Sequence, residues 1–177
     1  MMDYNKKLAQ RIHLKDIYEL VSYIEINNEQ RESFFTLLLS ENQIISYQAA
    51  WVFTHSSTST HFWLHKKQNE LINAVLTCNH SGKCRLLLTL LYKQPFENPP
   101  RVDFLNFCMD KIMNKQEPPA IIALCMKIAY ELCLPIPELM NELNLILQTM
   151  DNKSSPAIES SYRNIQKAMK NNKSLRS

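Results

Sequence analysis

Two groups of residues have the types and spacing to do chemistry. His61 and His65 stand four apart, the interval that puts two imidazoles on one helix face, where a divalent metal could be held. A catalytic zinc centre needs a third protein ligand, and no Glu follows His61 in an H-E-x-x-H pattern. The run Cys78-x-His80-x-x-x-Cys84 offers three further ligands of zinc type, and a fourth would have to come from elsewhere, such as His55 or Cys108. The stretch from Phe53 to His61, FTHSSTSTH, is dense in hydroxyls and imidazoles. It has no glycine turn to form an oxyanion hole and no acid to orient a base, so it reads as a polar loop between repeats. Glu138 and Glu142, four apart on a solvent-facing helix, read as solvated carboxylates rather than an acid–base pair. The expectation is a protein with no catalytic residues, no metal and no cofactor.

The elements that would position these groups share one period. Phe34–Leu39 (FFTLLL), Leu71–Leu76 (LINAVL), Cys108–Met113 (CMDKIM) and Leu145–Met150 (LILQTM) are spaced by 37 residues. The first, second and sixth positions are apolar in all four, and the fifth in all but the last, where Thr149 stands. The same period relates Tyr47, Cys84, Ile121 and Ile158, then Ala50, Leu87, Leu124 and Ser161, then Trp51, Leu88, Cys125 and Tyr162. Within each segment these positions follow i, i+3, i+4 spacing, which makes them one buried helical stripe. That register assigns Cys84, Cys125 and Trp51 to the core. Two helices cannot bury such a stripe alone, so repeated pairs must stack into an α-solenoid.

The first helices of the pairs are expected near 29–40, 66–78, 100–114 and 137–151, and the second near 43–55, 82–93, 119–133 and 156–170. Pro100, Pro119, Pro137 and Pro156 fall where helices should begin, a position that costs proline only a donor without a partner. Ser155 is placed to cap the last helix. Ahead of the pairs, Leu14, Ile17, Leu20, Val21 and Ile24 share one face and suggest a capping helix. About nine helices in all are expected, in one domain over 1–170, with residues 171–177 forming a frayed basic tail.

Composition agrees. The single glycine, Gly82, argues against a sheet-rich fold and removes the glycine-rich phosphate loops and the G-x-S-x-G elbow. Five cysteines, an odd number with three in helical apolar patterns, point to a reducing compartment rather than a disulfide framework. The N-terminal stretch lacks an apolar signal region and no run is long enough to span a membrane, so a cytoplasmic chain with no membrane contact is expected. The net charge of +3 is uneven: residues 153–177 carry +5 and the remainder −2.

The run FFTLLL, a short polar turn and then SYQAAWVFTH resembles the HEAT/armadillo superfamily. In that family the second helix opens with a polar or basic residue before a small apolar pair. Arg85 keeps the basic residue, while Gln48, Ile122 and Glu159 stand at the corresponding positions. The resemblance covers about residues 14–170. It implies an all-α, right-handed α–α superhelix, a short HEAT-like solenoid of four 37-residue helix pairs behind the N-terminal cap. It also implies a concave surface lined by the second helices. One residue past the core stripe, that surface would present Gln48, Val52 and His55; Arg85, Thr89 and Tyr92; Ile122, Met126 and Ala129; and Glu159, Arg163 and Gln166. Aromatic, Met and aliphatic side chains with few charges suit a protein or peptide groove. The equal alternative for Ile122, Met126 and Ala129 is packing against a neighbouring helix. The expected function is a non-catalytic scaffold that binds another protein or peptide. The competing expectation is nucleic-acid binding, through the relation to helical-repeat proteins of DNA alkylation repair and the basic residues Arg163, Lys167, Lys170, Lys173 and Arg176.

Overall fold

A computed structural model describes residues 4–150 and 155–176, and all its regular structure is helical. Lys153, counted above with the basic tail, lies outside the described residues. The helices are α1 (Tyr4–Leu8), α2 (Leu14–Ile24), α3 (Asn28–Leu38), α4 (Gln43–Thr54), α5 (Thr58–His65), α6 (Gln68–Leu76), α7 (Ser81–Tyr92), α8 (Val102–Met113), α9 (Pro119–Cys133), α10 (Pro137–Thr149) and α11 (Pro156–Asn171). The pairs α3/α4, α6/α7, α8/α9 and α10/α11 fall on the predicted repeats. Among the described residues there are eleven helices rather than about nine.

Both additions have a local cause. α5 takes residues 58–61 of the stretch expected to be a polar loop and continues to His65. Ser57 Oγ accepts from Thr60 N at 3.5 Å to cap it, and Leu64 is fully buried. Trp63 of α5 meets Phe35 edge-on and stacks with Phe53, so this ring is packing, whereas Phe62 beside it is 73% exposed. α1 is a single turn whose Leu8 is buried.

The chain divides into two compact units, Met1–Gln94 and Pro95–Ser177. In the first, α4 is the central helix, packed against α1, α2, α3 and α7, with α6 on α7. Phe34, Leu38, Phe53, Leu64, Leu71 and Leu87 are among its fully buried residues, each contributing roughly 1.5–3 kcal/mol by burial. In the second unit α9 is central, against α8, α10 and α11. Phe104, Cys125, Ile128, Tyr130, Leu147 and Ile165 fill that core.

The helix starts show how the sequence sets boundaries. Pro119, Pro137 and Pro156 each occupy a first helical turn, and Ser155 Oγ accepts from Ile158 N at 3.3 Å. Pro100 is an exception: α8 opens at Val102, after Arg101. At the other end α11 closes with Asn172 in the left-handed conformation at φ 46°, which Asn tolerates better than most residues.

Two adjustments to the 37-residue register follow from burial. In the first helices the fifth position is the buried one (Leu38, Val75 and Ile112), while Leu39 and Met113 at the sixth are exposed. That is the i, i+1, i+4 stripe a helix requires. In α10 the register moves by two residues. Leu145 is 64% exposed, and Leu143 and Leu147 take the buried places. The connection before α10 is only residues 134–136, against 93–101 before α8, so α10 begins early and its buried positions fall ahead of the 37-residue period.

The stretch expected to fray is held instead. Tyr130 Oη donates to the Lys173 carbonyl at 2.8 Å, and the Leu175 N–H donates to Glu131 Oε1 at 2.7 Å. Ser174 Oγ also donates to the Glu131 carboxylate, and the Arg176 guanidinium lies 4.6 Å from the centre of the Phe96 ring.

Candidate functional site

α4 and α7 run parallel, which can be read from contacts at their two ends. Near the N-termini, Tyr47 lies against His80, with ring centres 5.6 Å apart, and beside Gly82. Near the C-termini, Lys93 Nζ donates to the Thr54 carbonyl at 2.9 Å. α2 lies on the other side of α4, where Tyr18 meets His55 edge-on and His55 in turn meets Trp51.

The outer side of this three-helix layer carries several exposed apolar side chains. α4 contains no charged residue. Its solvent side presents Gln43, Ile44, Tyr47, Trp51 and His55, with Ile44 57% exposed. α2 adds Leu14, 49% exposed, and Tyr18, 55% exposed. α7 adds Lys83, Arg85, Thr89 and Tyr92, and no carboxylate. At the N-terminal end the layer opens into a cleft of about 620 Å³ lined by Arg11, Ile44, Tyr47, Gln48, His80 and Ser81, among others.

The residues assigned from sequence to a concave surface separate under this geometry. His55 and Arg85 are exposed and Thr89 and Tyr92 half-buried, and these four lie on the α4–α7 layer. Val52, Met126 and Ala129 are fully buried, and Ile122 is 5% exposed, so none of them offers a contact surface. The reason in α9 is its central place: three helices cover it, and its solvent side is the narrow line Ala120, Leu124, Lys127 and Glu131. For these residues the neighbouring-helix alternative is the correct one. Ile122 still reaches one wall of a cleft of about 430 Å³ between α8, α9 and α10.

Gln48 is buried for a structural purpose. Its amide nitrogen donates to the carbonyls of Leu8 and Gln10 at 2.5 and 2.6 Å, and its Oε1 accepts from Ile12 N at 2.9 Å. It therefore satisfies the backbone of the turn after α1. Arg163 is exposed on α11 in the second unit, as are Lys167 and Lys170, while Glu159 and Gln166 are half-buried there.

Sequence reasoning missed Tyr47 and Trp51, which it assigned to the core and which are half-exposed, and also Ile44, Leu14 and Tyr18. The available signal was α4 itself: twelve residues without a charge cannot all face inward.

The metal-like spacings lead elsewhere. His61 Nε2 accepts from Lys93 Nζ at 3.3 Å, whereas His65 Nδ1 pairs with Gln68 Nε2 at 3.4 Å. Burial, with the Lys93 charge adding to it, pushes His61 down to about 4, so the ring is neutral at pH 7. The Cys78 thiol donates to the His80 carbonyl at 3.4 Å, and the His80 ring accepts from Lys83 N at 3.0 Å as the cap of α7. Among the described residues, no three His, Cys, Asp or Glu side chains are grouped as a metal would require. No helix among them is long and apolar enough to cross a membrane.

Comparison with curated proteins and with solved structures finds no match. A family model described as a HEAT repeat domain matches residues 4–169. With paired helices over the matched length and second helices laid parallel, as α4 and α7 are, the chain belongs to the HEAT repeat domain family.

Proposed function

We propose that the protein is a non-catalytic scaffold that binds a protein segment on the outer side of α2, α4 and α7. The observation that carries this is the uncharged helix α4, with Ile44 exposed and Tyr47 and Trp51 half-exposed, beside an α7 whose only charges are Lys83 and Arg85. Exposed aromatics next to basic side chains suit a segment that inserts an apolar or aromatic residue and carries acidic neighbours. HEAT repeats generally serve as interaction scaffolds, which supports the same reading. Five free cysteines, four of them buried, favour a reducing compartment such as the cytoplasm.

The test is selection of peptides from a random display library on the folded chain, followed by polarisation titrations of the enriched sequences. Peptides combining an aromatic with Asp or Glu are expected, and Trp51→Ser with Arg85→Glu should weaken them at least about tenfold while helicity is unchanged. Selected peptides that bind this double variant as tightly as the parent would move the interface elsewhere.

Nucleic-acid binding is the second reading, and α11 favours it with Arg163, Lys167 and Lys170 exposed along one side. Three phosphate contacts would give a log–log salt slope of about −3, abolished by Arg163→Glu with Lys167→Glu. An oligonucleotide that shows no such slope removes this reading.

A further inference from the structure

Where α8 and α10 end and α9 and α11 begin, the second unit encloses the cleft of about 430 Å³. Its floor is Ile112, Ile122 and Ile158, one each from α8, α9 and α11, and these are 3%, 5% and 2% exposed. α10 supplies a wall with Ile146 and Met150, both half-buried. Met113 stands at the rim, 55% exposed. Among the described residues no aromatic side chain lines this space, and none of its lining residues belongs to the surface of α2, α4 and α7.

We propose that this cleft takes the hydrocarbon chain of a free fatty acid, with the carboxylate held at Lys115. Its volume falls in the range of small-molecule sites, which are mostly apolar and carry a few placed polar groups. With no ring to stack against, the walls suit a linear aliphatic chain rather than a planar ligand. The unbranched thioethers of Met113 and Met150 can follow such a chain without fixing its shape.

Charge at the mouth selects an anionic head. Among the described residues, Lys115 and Glu117 are the charged side chains that line the cleft. Glu117 is committed, because its carboxylate pairs with the Lys111 ammonium. Lys115 is exposed and has no ion pair among the described residues. The turn that carries it is fixed by its own backbone. The Gln116 N–H donates to Asn114 Oδ1 at 3.0 Å, and the Glu117 N–H donates to the Asn114 carbonyl at 3.1 Å. A cation is thus held ready beside an apolar opening, where its stem can lie along the chain while the ammonium meets the carboxylate. An amine of the same chain length would meet like charge there.

The experiment titrates the full-length chain, isotope-labelled at its methionine methyls, with laurate below its micelle concentration, and follows both methyl shifts and heat. Saturable binding of one laurate is expected, with shifts at Met113 and Met150. Met169 should not move, since it lies roughly 16 Å beyond Ile158 along α11. Lys115→Glu, in an exposed turn, should weaken laurate about fivefold and strengthen dodecylamine by a similar factor at unchanged helicity. Laurate that never saturates, shifts spread evenly over the methionines, or laurate binding indifferent to Lys115→Glu would overturn the proposal. So would binding to phosphatidylglycerol vesicles with none to free laurate, which would give the cleft to a membrane surface. Shifts of Met113 and Met150 that follow protein concentration rather than laurate would give it to a second copy of the chain and overturn the proposal equally.

Discussion

Tyr47 and Gly82 meet across α4 and α7 so closely that a β-carbon on Gly82 would lie 3.1 Å from Tyr47 Cε2. The same carbon would lie 2.9 Å from Cε1 of His80, whose ring caps α7. The chain's one glycine thus stands where two second helices approach and where a half-exposed aromatic of α4 rests on the neighbouring helix. The His80 ring is exposed and can turn aside, and alanine recovers about 0.5–1 kcal/mol of helix preference. Gly82→Ala should therefore stay within about 1 kcal/mol of the parent in urea unfolding. Gly82→Val brings a branched side chain against Tyr47 and should cost about 1–3 kcal/mol.

Gln48 provides a sharper test, because its three hydrogen bonds cannot be replaced by any apolar side chain. Gln48→Leu leaves the Ile12 N–H and the Leu8 and Gln10 carbonyls without partners in a buried place, and should cost about 2–4 kcal/mol in chemical denaturation. Gln48→Glu keeps the acceptor but removes the donor to the two carbonyls and sets a charge in its place, so it should be no better. A Gln48→Leu variant as stable as the parent would mean the turn after α1 adds little to the fold.

The repeat was legible in the sequence because burial in stacked pairs repeats along the chain. Phe34, Leu71 and Cys108 occupy equivalent buried positions, and the second-helix limits at 119–133 and 43–54 agree within a residue. Two kinds of feature escaped. The first is phase: a helix surface turns through about 100° per residue, so the one-residue error in α4 exchanged buried Val52 for half-exposed Trp51. The second is reach across the sequence. Glu131 and Tyr130 hold residues 173–175 by contacts more than forty residues apart, which no periodicity records. Gln48 combined both difficulties, being a polar residue at a predicted surface position that serves backbone groups nearly forty residues away.

The docked end of the chain gives a third prediction. Glu131 accepts from both Ser174 and Leu175, so Glu131→Ala should release residues 173–176 while α11 remains folded. Trypsin cleavage after Lys173 should then accelerate at least about fivefold at unchanged helicity, since proteolysis follows the population of the open form. Tyr130→Phe removes one hydrogen bond to the Lys173 carbonyl, worth about 1 kcal/mol, and should accelerate cleavage less.

His61 gives the chain a pH dependence of definite sign. Its ring is half-buried against Lys93 and protonates only near pH 4, whereas in the unfolded chain it protonates near 6.5. Between these values the unfolded state binds the extra proton. The stability that His61 contributes as a neutral, buried acceptor is complete above about pH 6.5 and is lost as the pH falls toward 4. Its ring is only half-buried, so we expect about 1–2 kcal/mol rather than the full linkage value. His61→Gln retains an acceptor for Lys93 but does not titrate. The difference in unfolding free energy between parent and variant, measured every half unit from pH 7.5 to 4.5, should shift in favour of the variant only below about pH 6.5. Carboxylates elsewhere titrate in both proteins and cancel in the difference, so a flat difference curve would show that Lys93 and burial do not hold the imidazole neutral.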